Sequence, residues 1–126
     1  MSVALNHTIV HARDATAAAT EVAELLGLDP PSPFGPFMEL RTSNGVSLDF
    51  ISTDDPLTIE HYAFLVSEDD FDQIYGRILE QDRNHWADPG ASQPGQINTH
   101  DGGRGVYFRG PDGHYLEIIT VPYGGW

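Results

Sequence analysis

The sequence predicts an α+β fold of two modules in tandem. Three observations carry that prediction: the chain repeats itself, each half reads as strand, helix and hairpin, and no Gly/Ser-rich linker parts the halves. Setting Leu5–Asp14 over Ile59–Glu68 lays His7 on His61 at an offset of 54 residues. Setting Leu40–Ser52 over Phe108–Thr120 lays Arg41 on Arg109, Asn44-Gly45 on Asp112-Gly113 and Asp49 on Glu117 at an offset of 68. The second half is longer by the difference, 14 residues, which fall between its helix and its last hairpin. The modules run from about 1 to 55 and from about 57 to 122 of one 126-residue domain, with Asp54-Asp55-Pro56 at the boundary. Halves this small are marginal alone, so they are expected to share a surface or pair with another chain.

His7–His11 and His61–Val66 are β-branched and aromatic runs suited to strands. Asp14 is placed to cap a helix that carries Val22, Leu25 and Leu26 on one stripe and stops at Gly27. Asp29–Pro36 contains four prolines and reads as a stiff loop, with no place for a helix or central strand. Asn44-Gly45 marks the first hairpin. In the second half Ser67 can cap, and Glu68, Asp69 and Asp70 suit the positive end of a helix dipole. Phe71, Ile74, Ile78 and Leu79 then recur at helical spacing, and Asp112-Gly113 marks the second hairpin. The tail, Pro122–Trp126, reads as the cover of a cavity mouth or as a fraying end.

Composition removes several chemistries. There is no cysteine, hence no disulfide, thiolate nucleophile or cysteine zinc site. All six basic residues are arginine, so Schiff-base chemistry and a P-loop lysine are excluded, and the Gly102–Gly105 stretch is a poor phosphate cradle. A net charge of −13 repels nucleic acid and anionic membrane. No apolar run is long enough to span a bilayer and no secretory signal is evident, so a cytoplasmic location is expected.

Strand alternation puts Tyr62, Phe64, Leu116 and Ile118 on a helix-facing side, and His61, Ala63, Tyr115 and Glu117 on the other. In the first half Leu48 and Phe50 oppose Ser47 and Asp49 in the same way. A carboxylate within Leu116–Ile119 must be paired, neutralised or bound to metal, because burying a lone ion costs several kcal/mol or more. Two repeat-related histidines, His7 and His61, with two repeat-related acids, Asp49 and Glu117, suit a divalent ion; an ordinary buried His–Glu pair is the plainer alternative.

Leu5–His7, Glu60–Val66 and the hairpin run Gly103–Thr120 resemble the vicinal oxygen chelate superfamily of glyoxalase I, extradiol dioxygenases, fosfomycin-resistance enzymes and bleomycin-resistance proteins. The resemblance covers nearly the whole chain. It implies paired βαβββ modules whose curved mixed sheets form a metal-binding cleft. It also implies His7, His61 and Glu117 as metal ligands, with Fe, Mn, Ni or Zn bound, and a homodimer in which His7 of one chain faces His61 and Glu117 of another. Asp49 stands where glyoxalase I carries a further, longer acid, so ligation, a supporting role or a role as base are all open. Glu117 is expected to be catalytic as well as ligating. Tyr107, ten residues before it, stands where a fosfomycin-resistance tyrosine touches substrate; it is expected to orient or stabilise a substrate oxygen, or merely to pack across strands.

The inserted stretch between Arg83 and Arg104 holds His85, Trp86, Asn98 and His100, and reads as a lid or substrate-selecting wall, or as a solvated loop. Asn98 and Arg104 are expected to bind substrate, and His100 to transfer protons. Fosfomycin chemistry is disfavoured: Ile9 replaces the expected threonine, lysine is absent, and no arginine lies near Trp126. The expected function is a divalent-metal-dependent enzyme of glyoxalase or dioxygenase type acting on a small oxygen-chelating substrate. The rival is a bleomycin-resistance-like sequestering protein, whose cationic drug the −13 charge would attract, though mere sequestration gives no reason to keep the ligand set in register.

Overall fold

A computed structural model describes residues 1–122; the tail from Tyr123 on, assigned above to a cavity mouth or a fraying end, lies outside the described residues. The chain divides into two compact units, the second starting at Ile59. Each is built alike. In the first, β1 (His7–Ala12) leads into α1 (Ala15–Leu26), then β2 (Ser32–Phe34), β3 (Phe37–Arg41) and β4 (Ser47–Ser52). In the second, β5 (His61–Leu65) leads into α2 (Glu68–Glu80), then β6 (His85–Trp86), β7 (Gly105–Arg109) and β8 (Tyr115–Ile119). The sheet orders are β1-β4-β3-β2 and β5-β8-β7-β6, with the first strand parallel to the last and the other pairings antiparallel. Each unit is therefore a βαβββ module, and the α+β tandem repeat expected from the sequence is what the chain forms.

The helix ends follow their residues. Asp14 accepts a hydrogen bond from the Ala17 N–H, and Gly27 closes α1 in a left-handed conformation with its N–H on the Ala23 carbonyl. Ser67 caps α2 by accepting from the Asp70 N–H. Val22 and Leu25 are buried on α1, as are Phe71, Ile74 and Ile78 on α2; Leu79 is exposed, one position off the α2 stripe. Against α1 lie Val10, Leu40, Leu48 and Phe50; in the second unit Val106, Phe108, Leu116 and Ile118 are buried on the corresponding strand face. Full burial of each such side chain contributes about 1.5–3 kcal/mol.

Two stretches differ from expectation. The proline-rich stretch is not all loop: Ser32–Phe34 pairs with β3 as an edge strand, where Pro33 is tolerated because one side of the ladder is unpartnered. His85 and Trp86 are not loop residues either, since they form the edge strand β6. Twenty-four residues separate α2 from β7 against ten between α1 and β3, which is the 14-residue insertion.

Candidate metal centre

The second unit gathers a cluster on the sheet face away from α2. Glu117, in mid-β8, is 1% exposed, and its Oε1 lies 3.0 Å from His61 Nε2, the imidazole donating to the carboxylate. His61 is at the start of β5 opposite Tyr115, so the contact is a diagonal one across two parallel strands. Tyr107 is the direct cross-strand partner of Glu117, and its ring centre is 5.8 Å from the His61 ring. Trp86 is in turn opposite Tyr107. One row across the sheet therefore reads Ala63, Glu117, Tyr107, Trp86; the neighbouring row reads His61, Tyr115, Arg109.

His61 is held where the pair needs it. The buried His114 accepts the Glu60 N–H on Nδ1 at 3.1 Å, and the Tyr115 N–H donates to the Glu60 carbonyl at 2.9 Å. These two bonds fix the residue before His61 to the hairpin carrying Glu117. The sequence gives no sign of this role for His114: Asp112-Gly113 before it marks a turn, but not the reach of its ring to the Glu60 N–H.

The first unit repeats the register. His7 pairs with Ser47 and Ile9 with Asp49, as His61 pairs with Tyr115 and Ala63 with Glu117. The side chains do not repeat the bond. His7 is exposed and its Nδ1 lies 2.7 Å from Asn6 Oδ1, while Asp49 is 7% exposed and its buried Oδ1 has no hydrogen-bond partner among the described residues. Glu39, directly across from Asp49, is tied to Arg41 at 3.0 Å.

Neither unit by itself collects three metal-binding side chains among the described residues. Each instead offers an imidazole and a carboxylate, a borderline nitrogen and a hard oxygen. Two such donors bound at right angles, each about 2.1 Å from a divalent ion, stand about 3 Å apart, and His61 and Glu117 already do. The orphaned Asp49 oxygen is likewise of a kind that a cation or a donor would satisfy. The residues present fit a divalent ion.

The insertion is pinned rather than loose. His85 is buried, donating from Nδ1 to the Arg83 carbonyl (3.0 Å) and accepting the Tyr75 hydroxyl on Nε2 (3.2 Å). Asn98 forms a two-bond bridge with Gly105, donates from its amide to the Ala87 carbonyl (2.8 Å), and accepts the His100 N–H (3.3 Å). A Cβ on Gly105 would come to 3.0 Å from that amide, so any larger residue would make Asn98 give way by a few tenths of an ångström. Asn98 thus fastens the loop. His100 is exposed in a short 3₁₀ turn, and no described contact joins its ring to the His61–Glu117 pair.

Arg104 lies against α2. By strand parity it belongs to the helix side, and its guanidinium binds Glu68 (2.7 Å) and Asp72 (2.8 Å) above the Phe71 ring. The Thr120 hydroxyl and this guanidinium hold Glu68 below the ordinary carboxylate range, and the two acids raise Arg104. Its charge latches the end of the insertion to α2.

No family model matches the chain. Among solved structures it is similar to oxidase ChaP-H1, at 59% identity and a TM-score of 0.96, over 98% of this chain and 100% of that one. Oxidase ChaP-H2 is similar at 56% identity and 0.94, over 98% of both chains. A glyoxalase/dioxygenase from Nostoc punctiforme shares the fold at 24% identity and 0.69, over 94% of this chain and 91% of that one. The metallothiol transferase FosB of Shouchella clausii (strain KSM-K16) is 40% identical over 60 residues; the match spans 48% of this chain and 37% of that relative's length. Among the described residues no helix is long and apolar enough to cross a membrane.

Proposed function

This chain belongs to the vicinal oxygen chelate superfamily, and on that premise we propose that it is a divalent-metal-dependent enzyme oxidising a small oxygen-chelating substrate. The observation that supports this reading most is the His61–Glu117 pair: an almost fully buried carboxylate held 3.0 Å from a half-exposed imidazole. The pair would hold the ion with His7 as the third ligand, and a homodimer would bring His7 of one chain to the pair of another. Two imidazoles and a carboxylate suit iron, manganese, nickel or zinc. Bound there, the ion supplies Lewis acidity toward vicinal substrate oxygens, with dioxygen chemistry added if it is iron.

The chain's own residues supply the rest. Burial of Glu117 among Leu116, Ile118 and Tyr107 keeps water from the carboxylate and strengthens its hold on a cation. Tyr107 packs beside His61 and would orient a substrate oxygen, its phenol able to donate a hydrogen bond as charge develops there. Asp49, buried with an unpartnered oxygen, is the best placed group of the first unit to take a proton from substrate. The two oxidases at more than half identity favour oxidation over the lyase and isomerase reactions of the superfamily.

The test is metal uptake. The purified protein, dialysed against Fe, Mn, Ni and Zn in turn, is expected to take up about one ion per chain. Glu117→Gln and His61→Ala are each expected to lower affinity more than about 100-fold, since even supporting residues around such sites cost 10–100-fold. A chain that takes up no ion, or a Glu117→Gln variant with unchanged metal content, would overturn the reading in favour of a sequestering protein.

A further inference from the structure

The geometry points to Arg109 as an anion-recognition residue, so that the ligand of this face is an aromatic compound with vicinal oxygens at one end and an anionic group at the other. In a chain of nineteen acids and six arginines, Arg41 and Arg104 are bound to carboxylates. Arg109 is not. Among the described residues its partners are all neutral: the Tyr115 hydroxyl (2.5 Å), the Gly113 carbonyl (3.2 Å), and the Tyr115 ring, whose centre is 4.1 Å from the guanidinium carbon. Those three contacts fix the plane of the guanidinium while leaving its charge unneutralised. A stacked, pre-oriented guanidinium is well suited to take a carboxylate, because little side-chain freedom is left to lose on binding.

Its position gives the ligand its length. Arg109 is opposite Tyr115, and Tyr115 opposite His61. Two inter-strand steps, about 10 Å between backbones, therefore separate the arginine from the metal-binding histidine. The rings of Tyr115, His61 and Tyr107 lie along this span, offering faces and edges to a planar ring. One benzene ring with oxygens at one end and a carboxylate at the other bridges such an interval. The net charge of −13 repels anions in general, so a local cation is what would let this face select one.

The inference rests on the metal reading for where the vicinal oxygens go, and its test separates the two. Protein loaded with redox-inert zinc is titrated calorimetrically with catechol, which has the vicinal oxygens alone, and with protocatechuate, which adds a carboxylate across the ring. Protocatechuate is expected to bind about tenfold or more tightly, the usual range for a charge-assisted hydrogen-bond pair. Arg109→Gln is expected to bring the two affinities together, and Tyr115→Phe to narrow the gap part-way. A second measurement needs no variant: benzoate, but not benzyl alcohol, is expected to shift the Arg109 Nε–H resonance of the metal-free protein. Equal affinities in the unaltered protein, or a preference that survives Arg109→Gln, would overturn the anion site while zinc and catechol binding left the metal reading intact. No zinc uptake together with an Arg109 resonance that responds to benzoate would overturn the metal reading and leave the anion site standing.

Discussion

Both modules start their first strand with a histidine and carry a carboxylate two residues past its ladder partner, yet only one closes the contact. His61 reaches Glu117 at 3.0 Å, whereas His7 turns to Asn6 and Asp49 keeps a buried oxygen without a partner. The backbones are in the same register, so the difference lies in the side chains. Aspartate is one methylene shorter than glutamate, and a diagonal contact between parallel strands leaves little slack. The repeated scaffold thus carries two different arrangements: one acid is held by an imidazole, and the other keeps a buried oxygen that finds no donor among the described residues.

The comparison breaks most sharply at the histidines. His61→Ala strands a buried carboxylate and is expected to destabilise by about 2–3 kcal/mol, less than for a fully enclosed pair because water can enter from the open side of the ring. His7→Ala, at an exposed residue, is expected to change stability by less than about 0.5 kcal/mol. Urea denaturation of the two metal-free variants measures the contrast, and equal losses would show that the modules are not different in this respect.

The acids should differ in sign. Asp49→Asn removes a buried charge that faces Glu39 across the ladder and is expected to stabilise the metal-free protein by about 1 kcal/mol. Glu117→Gln weakens a formed pair and is expected to destabilise by a similar amount. Thermal midpoints of the two variants, moving apart, check this. A smaller effect sharpens the comparison: Asp49→Glu restores the missing methylene, and the His7 ring nitrogens are expected to shift in ¹⁵N spectra toward the hydrogen-bonded pattern of His61.

The smallest effect concerns the latch that only the second module has. The folded state lowers the Glu68 pKa through Thr120 and Arg104. The stabilisation is therefore complete above the ordinary glutamate pKa and is lost as pH falls through the lower folded value. Glu68→Gln is expected to flatten that stretch of the stability curve, slightly, because the latch is solvent-exposed.

Much of this was legible from residues. The repeat located both histidines and both acids, and the resemblance singled out Tyr107, which pairs across the ladder with Glu117. The two helices followed from Asp14, Gly27 and Ser67. What escaped the sequence depends on reach. Edge strands as short as Ser32–Phe34 and His85–Trp86 have too few residues for alternation to show, and their pairing is decided by the neighbouring strand. The ion pairs of Arg104 with Glu68 and Asp72 escaped as well, because they join residues more than thirty positions apart. Arg109 drew no attention because its worth lies in which partners it lacks, and composition cannot show that.

The bonds between Ala87, Asn98 and Gly105 have one more consequence. They draw the two ends of a ten-residue excursion, 88–97, together and anchor both to the sheet. Its later part is held to β6 as well, through the Gly95 N–H on the His85 carbonyl and the Trp86–Pro94 bridge, with 88–92 forming the turn between. Changes in length or sequence confined to that turn would leave the ladder bearing Tyr107 and Glu117 in register, which makes it the part of the second module most open to variation.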